Sequence, residues 1–248
     1  MIKKMLMGAA AAIAIAAPGV ASAETNAVVG VQYSNTDFDG FDFDSYGLNG
    51  GFSHDLNNGA VLQLDGAWSR LDGGGCCTSS GYGAVHYAMR NDSHSFGGFV
   101  MLDDFFGYSG AGLGVEGQMF FSNVVLNGSL GYLDFSDLDF SATAVQVDGA
   151  YYVTPNFALT ALASYSEGES GSDFDWTTFG VGGEWRFSGP TSLTFGYRTT
   201  DFNDDDADTF TIGLNFDLGT GSLRERASSG PGLNGAAAMH GNLHSITP

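Results

Sequence analysis

Hydrophobic and polar residues alternate with a period of two through most of this chain, the repeat of a strand with one apolar face. In residues 209–218, TFTIGLNFDL, Phe210, Ile212, Leu214, Phe216 and Leu218 alternate with Thr211, Gly213, Asn215 and Asp217. In 176–187, Phe179, Val181, Trp185 and Phe187 alternate with Gly180, Gly182, Glu184 and Arg186; in 60–70, Leu62, Leu64 and Trp68 alternate with Gln63, Asp65 and Ser69. Twelve such segments are expected, near 26–35, 45–54, 60–70, 80–90, 94–102, 110–120, 123–133, 140–152, 157–166, 176–187, 192–200 and 209–218. Each has the length that a tilted strand needs to cross a hydrocarbon layer. One face is lipid-like and the other wet; only the segment at 94–102 is apolar on both.

The connections fall into two kinds. Those after even-numbered strands are short turn sequences such as DLNNG (55–59), VTPN (153–156) and SGPT (188–191), made of residues that favour tight reversal. Those after odd-numbered strands are longer and acidic, and hold 19 of the 27 carboxylates between Glu24 and Leu218. An antiparallel up-and-down transmembrane barrel, with short turns at one rim and longer loops at the other, produces this alternation. Rings on the apolar face gather at strand ends, with Tyr46, Trp68, Tyr132 and Tyr197 toward the loops and Tyr151 and Trp185 toward the turns, as two aromatic girdles would. A soluble β-sandwich also alternates, but explains neither the similar segment lengths nor the acidity of every second connection.

The ends bound the domain. Lys3 and Lys4 precede a small-apolar run closing on Ala21-Ser22-Ala23, the form of a cleaved signal peptide over residues 1–23. Cleavage removes both lysines and takes the formal charge from −20 to −22. Six scattered arginines then remain, too few to neutralise a phosphate backbone, so nucleic acid is not an expected partner. Residues 24–218 form the expected barrel. Residues 219–248 lack alternation, are rich in Gly, Ser and Ala, and read as a disordered C-terminal extension.

GVEGQMFF (114–121), YYVTPNFALTALASY (151–165), GVGGEWRF (180–187) and TFTIGLNFDL resemble strands and turns of the small porin-like outer-membrane proteins of Gram-negative bacteria. The resemblance implies the outer membrane as location, with its lipid and lipopolysaccharide as surroundings. Thr211, Gly213, Phe216 and Leu218 match the signal such proteins present to the barrel-assembly machinery. General porins have more strands and a long inward third loop, whereas the third loop here is only about DDFFGYSG, so a trimeric porin cannot be inferred and the oligomeric state stays open.

The expected function is a porin-like channel for passive diffusion of small hydrophilic solutes, cation-favouring because of its acidic mouth. The alternative is a non-conducting structural or surface-interaction barrel. Asp65, Glu116, Asp148, Glu184, Arg186, Arg198 and Asp217 fall on the inward face, where they line a solute path or form a salt-bridge network. Among the acidic loops, Asp37, Asp39, Asp42 and Asp44, and Asp204, Asp205, Asp206 and Asp208, could bridge cations loosely, but lack the spacing of a dedicated calcium loop. Adjacent Cys76 and Cys77 could form a disulfide in an oxidising compartment or remain thiols. No metal site, cofactor or catalytic residue is expected: the histidines show no arrangement with a nucleophile, and GAGLGVEG is strand lining without a following helix.

Overall fold

The computed structural model describes residues 25–38, 40–56, 58–73, 76–202, 205–219 and 221–244. The expected signal peptide, Asp39 and Asp204 lie outside the described residues, as do the side chains of Cys76 and Cys77, whose backbones open a strand. Twelve strands are formed among the described residues: β1 (Thr25–Phe38), β2 (Phe41–Asp55), β3 (Ala60–Gly73), β4 (Cys76–Arg90), β5 (His94–Phe105), β6 (Tyr108–Phe120), β7 (Val124–Phe135), β8 (Phe140–Thr154), β9 (Phe157–Glu169), β10 (Asp173–Ser188), β11 (Thr191–Phe202) and β12 (Asp205–Leu218). Every strand pairs antiparallel with its sequence neighbours, and β12 closes on β1 with Val29 opposite Phe216 and Gln32 opposite Gly213. Closure leaves no strand with an unpaired edge, the condition for a sheet to stand in lipid.

The hydrophobicity is inverted relative to a water-soluble protein. Leu102, Leu113 and Val181 are more than 60% exposed on the outer surface, and Val100, Val115, Val147 and Phe179 stand beside them at 58–60%. Exposure of this extent across a whole belt marks a surface made for hydrocarbon. Tyr46, Trp68, Tyr132, Tyr151, Tyr165, Trp185 and Tyr197 are exposed on the same surface, where amphipathic rings meet the headgroup level. No helix among the described residues is long and apolar enough to cross a membrane.

The strands run longer than the ten residues expected, because they continue past the aromatic rings into the acidic hairpins. Asp37, Asp42, Asp44, Asp205, Asp206 and Asp208 are therefore strand residues, not loop residues. Asp37 sits opposite both Asp42 and Asp208, and Asp201 opposite Asp206. Hydrogen bonds from Tyr33 and Asn35 hold Asp44, and Tyr197 holds Asp208. In the third hairpin β5 and β6 are joined by Phe106 and Gly107 alone, both at positive φ (53° and 93°), the geometry of a two-residue hairpin turn.

The C-terminal segment departs from expectation altogether. It is not a disordered extension: after Leu218 the chain turns back into the barrel as α1 (Leu223–Ser229) and α2 (Gly235–His244). Ser222 caps α1, its hydroxyl accepting from the Glu225 amide at 3.1 Å. Arg224 anchors the turn rim, donating to the Phe121 carbonyl at 2.6 Å while its backbone amide reaches the Pro155 carbonyl. From there the segment climbs the lumen until His244 meets the rings of Phe105 and Phe106 at the acidic end. A ten-residue helix is marginal by itself in water; this one forms because the wall supplies its partners.

Candidate functional site

The lumen is the candidate site, and the folded tail occupies it. Inward Gly51 and Gly131 leave the room: a Cβ on the first would stand 3.1 Å from Pro231 Cβ, and on the second 3.2 Å from Met239 Sδ. Between the helices, wall side chains meet backbone groups of residues 230–233 that lie outside the helical hydrogen bonds. Gln63 accepts from the Leu233 amide at 3.1 Å and donates to its carbonyl at 2.6 Å; Gln118 donates to the Gly232 carbonyl at 2.7 Å, and Arg90 to that of Gly230 at 3.2 Å.

All seven inward charges singled out from the sequence face this lumen, and most touch the tail or its partners. Near the turn end, Arg226 of α1 lies between Glu184 and Asp217, with Nη1 2.9 Å from Glu184 Oε1 and 3.2 Å from Asp217 Oδ2. Arg186 pairs with the same Asp217 carboxylate. Burial alone would lower the basicity of Arg226, but the two carboxylates outweigh it and push its pKa above the ordinary arginine value. Higher up, the Glu116 carboxylate accepts from the Gly235 amide at 2.8 Å, meeting the positive end of α2. Both nitrogens of buried His86 lie 2.5 Å from carboxylates, Asp65 on one side and Glu116 on the other, and the contact with Glu116 has hydrogen-bond geometry. Asp148 accepts from Asn234 at 2.9 Å, and Arg198 donates to the Gly241 carbonyl at 3.0 Å.

Toward the acidic end the lumen becomes apolar. Phe99, Met101, Leu133, Phe135 and Trp176 pack with Ala236, Met239 and Leu243 of α2 into one buried cluster. This explains why the segment at 94–102 is apolar on both faces: Val100 and Leu102 face out, while Phe99 and Met101 carry the helix. The Trp176 indole donates to the Asn242 carbonyl at 3.1 Å, and Ser164 to the Asn242 side chain at 2.7 Å. Above this cluster Asp103, placed in a loop by the sequence pattern, is an inward residue of β5 that contacts His240 and His244. Burial, reinforced by His240, holds the His244 imidazole down to about 4.

Seating is uneven. α2 lies chiefly on β4 to β8, with Ser164, Trp176 and Arg198 of β9 to β11 reaching its last turn, and beside it a cavity of about 470 Å3 remains, lined by Gln32, Ser34, Thr36, Ser69, Thr160, Arg198 and Thr211 among others. A second cavity, of about 670 Å3, lies at the turn end between α1 and the rim, lined by Asp55, Arg90, Asn91, Arg224 and Glu225.

These features define a transmembrane β-barrel with the fold of outer-membrane barrels and its own C-terminal segment folded into the lumen. Among solved structures the chain is similar to an outer membrane channel from Pseudomonas putida F1, at 14% identity and a TM-score of 0.63, covering 81% of this chain and 97% of that one. It is also similar to the NanC porin (11% identity, TM-score 0.60, 77% and 100% covered) and the KdgM porin (11%, 0.54, 75% and 98%). At such identities the likeness is one of fold. No family model matches the chain, and no curated protein matches its sequence.

Proposed function

We propose that this protein is an outer-membrane channel for small hydrophilic solutes whose C-terminal segment narrows and gates the lumen. The carrying observation is the two-sidedness of that lumen: one half grips α2 through apolar side chains, and the other keeps a hydroxyl- and amide-lined cavity beside it. A wall built only for packing has no use for unfilled space faced by serine, threonine and glutamine. Three of the folds it resembles belong to proteins described as a channel or porins. The acidic hairpins belong at the cell exterior and the turns in the periplasm, following the general plan of such barrels; carboxylates at that mouth favour cations over anions.

Planar-bilayer recording tests this reading. The full chain should give small or infrequent conductance, and a chain ending at Leu218 a larger one, with reversal potentials in a salt gradient showing cation preference. A second reading, a non-conducting structural or surface-interaction barrel, draws on the apolar cluster across the acidic half of the lumen. It predicts silence from both chains, and a folded, silent truncated barrel would replace the channel reading with it.

A further inference from the structure

At the acidic end of the lumen three potential ligands converge from two elements. His240 and His244 are four residues apart on α2 and so share one face of the helix; Asp103 comes from the wall, on β5. His240 Nδ1 lies 2.6 Å from Asp103 Oδ2 and His244 Nε2 3.7 Å from Asp103 Oδ1, and one donor atom from each residue falls within 4.8 Å of the others. A tetrahedral ion with bonds of about 2.0–2.2 Å holds its ligand atoms roughly 3.4 Å apart. The two His–Asp separations straddle that value and the third lies within 4.8 Å, so small side-chain adjustments bring the set to an ion's ligand spacing.

An ordinary pair of helix-anchoring hydrogen bonds would account for part of this arrangement. It does not account for Oδ1 of Asp103, which is buried and takes no hydrogen bond among the described residues, a costly state for a carboxylate oxygen. Nor does anchoring call for two imidazoles with ring centres 3.9 Å apart aimed at one carboxylate. Arg198 is the nearby opposing charge, and it is engaged by the Gly241 carbonyl. Both histidines border the 470 Å3 cavity, which provides an entry path and room for a water as fourth ligand. Two imidazoles and one carboxylate suit borderline divalent ions of the zinc type, whereas calcium and magnesium prefer all-oxygen sets.

We propose that Asp103, His240 and His244 bind one zinc-type divalent ion that bridges α2 to the barrel wall. Because its ligands come together only when the helix is seated, the ion favours the seated state by mass action. The site stands or falls independently of whether the barrel conducts.

The test is calorimetric titration of ZnCl2 into the full mature chain folded in detergent, with Cys76→Ser and Cys77→Ser removing the thiols. One stoichiometric step is expected above weak background binding by the acidic hairpins. His240→Gln and His244→Gln should each abolish that step, and the visible d–d absorption of Co2+ bound in place of Zn2+ should vanish with it. Amide exchange in α2 should slow with Zn2+ in the parent chain and not in the variants. Absence of a stoichiometric step in the parent, or its survival in the double His→Gln chain, would overturn the proposal. Heat-modifiable mobility of the variants confirms that the barrels compared are folded.

Discussion

Replacing Arg226 with alanine should loosen α1 without opening the barrel wall. In the native lumen the Arg226 guanidinium serves two carboxylates, Glu184 and Asp217, whose side chains are 13% and 1% exposed. Removing one partner of a buried ion pair typically costs about 3–5 kcal/mol. Here the loss is cushioned, since Asp217 keeps Arg186, and Glu184 keeps the Ser192 hydroxyl at 2.5 Å and the Asn215 amide at 3.2 Å. A cost of about 2–3 kcal/mol follows, or roughly 30- to 150-fold in the equilibrium between seated and released α1. Released, Glu184 regains water, so the penalty belongs to the seated state alone. Native-state hydrogen exchange reads the effect: the amides of Arg226 and Gly230, which donate to Ser222 and Arg226 carbonyls, should lose protection by that factor, while strand amides keep theirs. A double-mutant cycle with Glu184→Gln isolates the pair, with a coupling of about 1 kcal/mol or more expected. Protection of the α1 amides within about twofold of the parent, or no coupling in the cycle, would refute the assignment of Arg226 as the anchor.

Two further perturbations separate the remaining parts. Leu243→Ala removes a fully buried side chain from the cluster around α2 and should cost about 2–5 kcal/mol of seating, seen as faster exchange of α2 amides with α1 little changed. At the closing seam, a Cβ on Gly213 would stand 2.7 Å from Thr194 Oγ1 and 2.9 Å from the Val31 carbonyl oxygen, and Phe216 is 44% exposed on the lipid face. Gly213→Asp and Phe216→Asp should therefore impair assembly, the second more mildly, at up to about 1 kcal/mol, because it lies near the rim, measured as the heat-modifiable fraction in isolated outer membranes.

The wall was legible from sequence because a barrel strand meets lipid on one side and lumen on the other, and that contrast is written every second residue. Closure of β12 on β1 followed from the need to satisfy the last edge. Acidic residues were assigned to loops because charge looks like loop when no partner is visible; pairing of Asp37 with Asp42 and Asp208 requires the register. The plug was missed for a related reason. Ala236, Met239 and Leu243 make an apolar stripe on α2, but a stripe on ten residues means little until a matching surface exists, and that surface is spread over β4 to β8. Three local signs were nevertheless present: the capping pair Ser222 and Glu225, two arginines in a chain short of positive charge, and a strand apolar on both faces. Gly51 and Gly131 on the inner face leave the space that Pro231 and Met239 of the tail take up.

The division of the lumen also constrains how such a plug can move. Expelling α2 entirely would wet Phe99, Met101, Leu133 and Phe135, each at most 4% exposed when it is seated. At roughly 1.5–3 kcal/mol for each side chain, the loss would reach about 6–12 kcal/mol as an upper estimate, since these residues also cover one another. Release of α1 requires much less, because its ion pairs and rim contacts can be exchanged for water from the adjoining 670 Å3 cavity. In the gating proposed for this lumen, α2 would be the fixed part, resting on the apolar half of the wall, and α1 with the linker at 230–234 the part that yields. Solute passing the seated helix would travel along the side of Ser34, Thr36 and Thr211, and changes in its rate should follow the state of α1.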